Sequence, residues 1–355
     1  MKKAFFFFSI TAIISFFACR KNEMTPENHI VSLDSLAGKW VLKIFDSSAT
    51  AGSICDVQVI SRYTAYMSDN HGFFWKTNDG AQTWTKKLVD PTFHQSIPSI
   101  HFLDSLNGYA LHGFTNGLRY YSVTTDAGNT WTKKQLLFPY SQANIKDIFF
   151  LTRAVGFAVL DSTDYWYRKG YIVKTIDSGK TWQKKGFCQD PTKIFFASPQ
   201  KGWVIDYWGE VYETFNGGET WKDVMNGSGN LPFHETVHGF HAFDTAHFVC
   251  GNFDGVTFHK VIPGFYLYES VTYLLNPYYG NPVTVFMLSP TTGYSINGDG
   301  AILKFDRQAA NPVVFDTSFR NGTLNLNRFW TEMSFYDSSF GVIGGQYGRY
   351  LVRHN

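Results

Sequence analysis

Three aspartates and one asparagine recur in nearly the same context, and a repeated carboxylate is the first candidate for acid–base chemistry. A tryptophan follows each of them by five residues, giving Asp79 and Trp84, Asp126 and Trp131, Asp177 and Trp182, and Asn216 and Trp221. Paired carboxylates are what glycoside hydrolysis requires. At a hairpin, however, a carboxylate accepts backbone N–H bonds, a nearby glycine tolerates positive φ, and a Trp packs under the turn. We therefore interpret these four stretches, residues 77–84, 124–131, 175–182 and 214–221 and here named the box loops, as structural, and we predict no catalytic residue.

A second set of candidates combines aromatic rings with charged or polar neighbours. Such groups can stack on sugar rings or anchor a protein partner, although each ring could instead cover an edge of the fold. The predicted ligand- or partner-binding residues are His94, Tyr165, Trp166, Arg168, Tyr207, Trp208, His234, Glu235, Tyr278, Tyr279, Arg328, Trp330 and Glu332.

Other chemistry finds little support in the residue types. Cys55, Cys188 and Cys250 form no C-x-x-C spacing and no Cys/His cluster, so we predict no metal site and no cofactor, and we interpret them as buried thiols. The chain has 31 basic side chains against 29 acidic ones, and two of the basic ones are Lys2 and Lys3. Without that terminal pair the balance is neutral, which argues against a nucleic-acid partner.

The elements that must position these residues follow a long repeat. An aromatic strand, a turn and a second strand recur seven times, and six of the turn positions are Gly108, Gly156, Gly202, Ala246, Gly293 and Gly341. A unit of 40–50 residues with four short strands is typical of a β-propeller blade. In the second unit, alternation predicts strands at residues 100–103, 109–112, 120–125 and 131–136.

Closure of the ring can also be predicted. The seventh unit ends after three strands, whereas residues 40–45 form a strand with no partner before it. Pairing this strand with residues 350–353 would complete the last blade and remove an exposed edge. The sequence therefore predicts an all-β, seven-bladed β-propeller over residues 38–355, with the N-terminal strand closing the last blade.

The N-terminus resembles a bacterial lipoprotein signal peptide. Lys2 and Lys3 precede an apolar run that ends at Ala18, directly before Cys19, although Phe16 and Phe17 depart from the usual pattern. The resemblance implies cleavage of residues 1–18, lipidation of Cys19 and a polar tether over residues 19–37. The expected location is the bacterial cell envelope, with the outer membrane as the anchoring membrane and the propeller as a monomer. An ordinary secretory signal with a chance cysteine is the alternative.

The box loops resemble the Asp-box (BNR) repeat, and their alternation with the aromatic strand pairs resembles the photosystem II stability/assembly factor-like propellers. The resemblance covers residues 38–355 and is strongest over residues 72–221. Asp boxes also occur in sialidases, xyloglucanases and sortilin-type receptors, so the resemblance is specific for fold and weak for activity. The R-I-P signature of sialidases is absent, and the chain has length for one propeller rather than the two of xyloglucanases.

Two classes of function remain open. The first is a non-catalytic, envelope-tethered propeller that acts as a protein-binding or assembly scaffold. The alternative is a glycan-binding protein or glycoside hydrolase of the sialidase-like superfamily. In either case we expect the box loops on one face of the ring and the aromatic loops on the other, around the axial funnel where propellers bind ligands.

Overall fold

The computed structural model of this protein describes residues 31–32, 40–45, 52–92, 94–113, 119–138, 143–162, 169–207, 210–223, 239–251, 255–261, 268–274, 282–297, 301–308, 313–316 and 330–354. All regular structure in these ranges is β-strand. Nowhere in them is there a helix with the length and hydropathy of a transmembrane segment.

Seven antiparallel sheets form the blades of a propeller, which confirms the predicted fold. Two strands, β1 (Val31–Ser32) and β2 (Trp40–Ile44), precede the first complete blade. Blade 1 contains β3 (Ile54–Val59), β4 (Ala65–Asp69), β5 (Phe73–Thr77) and β6 (Thr85–Leu88). Blade 2 contains β7 (Ser99–Phe102), β8 (Gly108–Leu111), β9 (Tyr120–Thr124) and β10 (Thr132–Gln135). Blade 3 contains β11 (Ala143–Phe150), β12 (Gly156–Ser162), β13 (Lys169–Thr175) and β14 (Gln183–Gln189).

The second half of the ring repeats this plan. Blade 4 contains β15 (Pro191–Phe196), β16 (Gly202–Asp206), β17 (Val211–Thr214) and β18 (Lys222–Asp223). Blade 5 contains β19 (Gly239–Ala242), β20 (His247–Gly251), β21 (Gly255–Val261) and β22 (Tyr268–Leu274). Blade 6 contains β23 (Pro282–Met287), β24 (Thr292–Asn297), β25 (Ile302–Asp306) and β26 (Val313–Asp316). Blade 7 contains β27 (Trp330–Asp337), β28 (Phe340–Gly345) and β29 (Arg349–His354).

The four strands of a blade, A to D in chain order, differ in burial as their sequences require. The seven A strands contact one another in a closed circle and so line the central channel. B strands such as β4 and β8 are buried at every residue, because both of their faces pack against sheets. The D strands β6 and β10 carry exposed lysines, and charged side chains on an edge strand oppose pairing with other chains.

The last blade is completed from the other end of the chain, as predicted. Trp40 pairs with Arg353 and Lys43 with Tyr350 in an antiparallel ladder. Trp40 is buried and packs edge-on against Tyr294 and Phe335 of blades 6 and 7. One difference from the expected domain boundary is that Val31 and Ser32, assigned to the tether, pair with β2 as a fifth strand of this sheet.

Hydrophobic side chains form one cluster at each of the seven interfaces between neighbouring blades. The aromatic-to-glycine spacing of the repeat serves this packing. Phe102 lies directly opposite Gly108, and a Cβ on that glycine would stand 2.4 Å from the Phe102 ring. Phe150 with Gly156, Phe196 with Gly202 and Phe335 with Gly341 repeat the arrangement.

Blade 5 reverses this pair, which corrects the sequence alignment of that unit. The residue opposite the end of strand A is Phe248, rather than the turn residue Ala246. Its partner on strand A is Ala242, so the large side chain lies on strand B and the small one on strand A. The interface still combines one large and one small side chain, and exchanges that keep the total volume similar are the ones that cores tolerate best.

Candidate functional site

The box loops use their acidic side chains to build the hairpin. At Asp126 the Thr130 N–H donates to Oδ1 at 2.8 Å and the Thr130 hydroxyl donates to Oδ2 at 2.6 Å. The Thr124 hydroxyl donates to Oδ1 at 2.8 Å and accepts the Gly128 N–H at 2.9 Å. These bonds, led by that from the Thr130 hydroxyl, lower the pKa of Asp126 to about 2. Asp79 and Asp177 are bound in the same way.

Each box loop lies beside the A–B turn of its own blade. The Ala127 N–H donates to the Leu106 carbonyl at 2.9 Å, and the Ser178 N–H donates to the Ala154 carbonyl at 3.0 Å. Turns and box loops therefore share one face of the ring, here named the box face. The D–A and B–C loops belong to the opposite face, and His94 and Tyr207 are the predicted binding residues that the structure describes on them.

The box tryptophans contact the preceding blade. Trp131 packs edge-on against Phe74 of blade 1, and Trp182 packs edge-on against Tyr121 of blade 2. Trp84 contacts Phe45 and Tyr350 in the same manner. A box loop is thus a contact between blades as well as a hairpin.

The channel mouth opposite the box face is surrounded by seven equivalent positions on the A strands. These positions share the same register with strand B and are occupied by Asp56, Ser99, Asp147, Lys193, Gly239, Thr284 and Glu332. In five of the blades an irregularity in the ladder immediately precedes this residue. We name this set the mouth ring.

Two acids of the mouth ring link neighbouring blades. Asp56 Oδ2 accepts the Ile100 N–H of blade 2 at 2.8 Å. Asp147 Oδ2 accepts the Ile194 N–H of blade 4 at 3.0 Å, and its Oδ1 accepts the Ser99 hydroxyl of blade 2 at 3.1 Å. Adjacent A strands form no ladder with each other, so these side chains satisfy backbone groups that would otherwise lack partners.

Lys193 and Glu332 are less completely engaged. Glu332 Oε1 accepts the Thr284 hydroxyl at 2.6 Å, whereas Oε2 lies 4.0 Å from Lys193 Nζ, beyond hydrogen-bond distance. Half of the Lys193 side chain is exposed in the channel. This pair can therefore offer an ammonium group and a carboxylate oxygen to a ligand.

Enclosure and charge shift the protonation of the mouth ring. Desolvation in the channel raises the pKa of Asp56, Lys193 opposes that shift, and Glu332 adds to it. Desolvation likewise raises the pKa of Asp147, against the opposing effect of Lys193. The pKa of Lys193 is raised because the attraction of Glu332, Asp147 and Asp56 outweighs desolvation.

Two residues further along the A strands the channel wall becomes aromatic. His101, Phe149, Phe195, His241 and Phe286 form a run of neighbouring rings with centroids 3.9–5.9 Å apart. Burial lowers the pKa of both His101 and His241 to about 4, so these rings are neutral at physiological pH. The channel is thus charged at its mouth and aromatic below it.

The structure distributes the predicted binding residues unevenly. Glu332 belongs to the mouth ring, and His94 and Tyr207 are exposed on loops of the same face. Trp330 is only 3% exposed and packs in the core between blades 6 and 7, so its ring is not presented to a ligand. The remaining predictions lie outside the described residues: Tyr165, Trp166, Arg168, Trp208, His234, Glu235, Tyr278, Tyr279 and Arg328, together with Cys19.

The rest of the mouth ring was missed by sequence reasoning. A signal was present, since six of the seven aromatic strands are preceded or begun by Asp56, Ser99, Asp147, Lys193, Thr284 or Glu332, each polar beside an apolar run. In the described part of the chain, no group of three or more His, Cys, Asp or Glu is arranged to hold a metal ion. Cys55, Cys188 and Cys250 are free thiols, the last two buried.

Comparisons with known proteins identify the fold. No family model matches the sequence, and no curated protein matches it. A structure of YCF48 bound to D1 peptide is similar, with a TM-score of 0.65 and 16% identity over 89% of this chain and 97% of that one. YCF48 from Cyanidioschyzon merolae gives a TM-score of 0.65 and 13% identity over 89% of this chain and 98% of that one. The GH74 xyloglucanase from Xanthomonas campestris gives a TM-score of 0.61 and 12% identity over 89% of this chain and 53% of the enzyme.

Proposed function

We propose that this protein is a non-catalytic binding propeller that holds a segment of a protein partner at the mouth ring. The proposal rests on the two different roles that the charged residues of the mouth ring have. Asp56 and Asp147 are committed to backbone groups of neighbouring blades, while Lys193 and one oxygen of Glu332 face the channel without a short hydrogen bond between them. A rigid frame that presents an ammonium group and a carboxylate oxygen to the channel suits recognition.

The surroundings fit a peptide ligand. Exposed Tyr207 and His94 lie on the same face, and aromatic rings at the centre of a surface are typical anchors for protein partners. The similar YCF48 fold was solved with a D1 peptide bound, which supports a peptide as the class of ligand. We further propose that lipidated Cys19 tethers the propeller to the bacterial envelope, where the partner would reside.

The test is selection of peptides from a displayed library on the immobilised propeller. Peptides that bind are then measured against Lys193→Gln and Glu332→Gln, with Lys304→Gln on the exposed side of β25 as the matched control. We expect losses of about tenfold for each mouth-ring variant, since a hydrogen bond to a charged group contributes about 1.5–3 kcal/mol. Equal binding to all variants would refute the mouth ring as the site.

A second candidate is glycoside hydrolysis, favoured by the raised pKa of Asp56. A carboxyl whose pKa is raised by desolvation can act as a general acid, and a GH74 xyloglucanase has a similar fold. Release of reducing ends from xyloglucan by the wild type, abolished in Asp56→Asn, would establish this alternative and overturn the non-catalytic proposal.

A further inference from the structure

The box face contains a cleft between blades 2 and 3, remote from the mouth ring. Its volume is about 250 Å³. Strand C, strand D and the box loop of blade 2 form one wall, and the A–B turn and box loop of blade 3 form the other. Its lining includes two cationic side chains, Lys134 and Arg153, with no carboxylate among the described lining residues.

One residue of the cleft lining is shorter than its counterparts in the repeat. Val123 stands on strand C of blade 2, directly before the box loop, where blades 1, 3 and 4 have Lys76, Lys174 and Glu213. In blade 3, Lys174 Nζ crosses to the next box loop and donates to the Gly217 carbonyl at 2.7 Å and to Glu219 at 2.6 Å. Val123 has no polar group that could make such a crossing, and it lines the cleft instead.

Arg153 differs from its own counterpart in the ring. The same turn position in blade 1 is Arg62, which donates to Asp337 Oδ2 of the preceding blade at 2.9 Å. For Arg153 the equivalent acid is Asp104, whose Oδ2 accepts the side-chain amide of Asn107 at 2.8 Å. Within the described ranges Arg153 therefore has no hydrogen bond or short ion pair, although the two charges still attract each other.

Other donors converge on the same space. Lys134 Nζ makes one long bond of 3.3 Å, to the Ser178 carbonyl, and an ammonium group has three donors. The lining also contains Thr132, whose side chain is exposed, and Tyr109, whose ring is stacked on Phe150 with centroids 3.6 Å apart. The cleft is thus a donor-rich pocket with two positive charges.

We propose that this cleft binds the oxyanion of a small ligand, a carboxylate or a phosphate, with Arg153 as the main contact and Lys134 as the second cation. A guanidinium matches both oxyanions through paired N–H donors, which an ammonium group cannot do. The volume suits an amino-acid-sized group rather than a larger molecule. The site is independent of the mouth ring, so neither proposal depends on the other.

Calorimetric titration with succinate and with inorganic phosphate at low ionic strength tests the proposal. Four forms of the full propeller are compared: wild type, Arg153→Gln, Val123→Lys and Arg62→Gln. We expect millimolar or tighter binding of at least one probe to the wild type. Loss of the guanidinium in Arg153→Gln should weaken it about tenfold or more, because each charge-assisted bond contributes about 1.5–3 kcal/mol.

The other two variants make the result specific. Val123→Lys installs the side chain found in neighbouring repeats and should abolish binding, whereas Arg62→Gln removes the equivalent arginine of blade 1 and should leave affinity unchanged. Tighter binding of succinate identifies a carboxylate ligand, and tighter binding of phosphate identifies a phosphate. Absence of binding by both probes, or equal affinity of wild type and Arg153→Gln, would overturn the proposal.

Discussion

At the scale of single residues, the box-loop carboxylates illustrate how one side chain can replace several backbone partners. Asp126 accepts two hydroxyls and an N–H of its own loop, and Asn216 performs a similar task with an amide. In the fourth loop the Thr220 N–H donates to Asn216 Oδ1 at 3.0 Å, and Asn216 Nδ2 donates to the Thr220 hydroxyl at 2.9 Å. The chain therefore contains its own conservative variant of the box aspartate.

That internal variant allows a sharp prediction. Asp126→Ala should lower the free energy of unfolding by about 1–3 kcal/mol, because the Thr130 N–H and hydroxyl lose their acceptor. Asp126→Asn should cost less than about 1 kcal/mol, since the amide can bind Thr130 as Asn216 binds Thr220. Chemical denaturation measures both. Equal losses in the two variants would show that charge, rather than hydrogen bonding, is what the loop requires.

The depressed carboxylate pKa values also predict how stability depends on pH. Asp126 and Asp177 have pKa values of about 2, led in each case by the bond from the threonine hydroxyl, against about 3.9 in an unfolded chain. Their contribution to stability is complete above the unfolded value and is lost as pH falls towards 2. A double Asp126→Asn, Asp177→Asn variant should therefore approach the melting temperature of the wild type as the pH is lowered from about 4 to about 2. A constant difference would contradict this linkage.

At the scale of elements, lysines join each box loop to the preceding blade. Lys43 Nζ donates to the Ala81 carbonyl at 2.5 Å, Lys87 donates to the Asn129 carbonyl, and Lys134 donates to the Ser178 carbonyl. Each of these three lysines is on a D strand and follows a tryptophan by three residues. Blade 3 uses Lys174 for the same purpose, with Lys185 bound to Glu219.

Removal of one such contact should loosen one loop only. Lys174→Met deletes the donor to Gly217 and Glu219, and we expect faster amide exchange at Gly218 and Thr220 together with a loss of about 1–3 kcal/mol. Lys304→Met, on the exposed side of β25, serves as the control and should change neither property. Unchanged exchange in the blade 4 loop would mean that the lysine contributes no restraint.

The closing strand is the element on which the ring most depends. Deletion of residues 38–46 removes buried Trp40 and Leu42 and leaves β29 paired on one side only, with β28. We expect a lower and broader melting transition, because a buried tryptophan alone contributes about 3–5 kcal/mol. Deletion of residues 22–30 is the matched control. A transition that is the same in both deletions would contradict the role of β2 in closure.

At the scale of the whole molecule, the cellular location of the protein remains a prediction from its N-terminal sequence. If Cys19 is lipidated, Cys19→Ala should move the propeller from the membrane fraction to the soluble fraction, since several acyl chains are needed for stable anchoring. Fractionation of cells that express both forms measures this. Membrane association that survives the substitution would point to a different anchor.

The architecture was predictable because the same strand and turn pattern recurs along the sequence at a regular spacing. Each blade repeats its aromatic strand, its turn and often its box loop at short range, and the unpaired strand at residues 40–45 had one incomplete blade to join. The mouth ring was harder to predict, because its members lie in seven different blades and only ring closure brings them together. The exchange of the large and small residue between strands A and B, at Ala242 and Phe248, could not be predicted either. The sequence gives the two residues but does not show that they lie opposite each other.

The lysine contacts between blades determine which segment of the chain contains both partners of each contact. Donor and acceptor always belong to consecutive blades, in the order 7 to 1, 1 to 2, 2 to 3 and 3 to 4. The series stops where Val224 replaces the lysine after Trp221, and the next blade has no box loop to receive one. For the three pairs with a D-strand lysine, the unit that contains both donor and acceptor does not coincide with one blade. It begins at strand D of one blade and ends at the box loop of the next blade. A duplication or graft cut at blade boundaries would separate every donor from its acceptor. A cut made before the D strand would keep together the three pairs whose lysine is on that strand, whereas Lys174, on strand C of blade 3, would still be separated from Gly217.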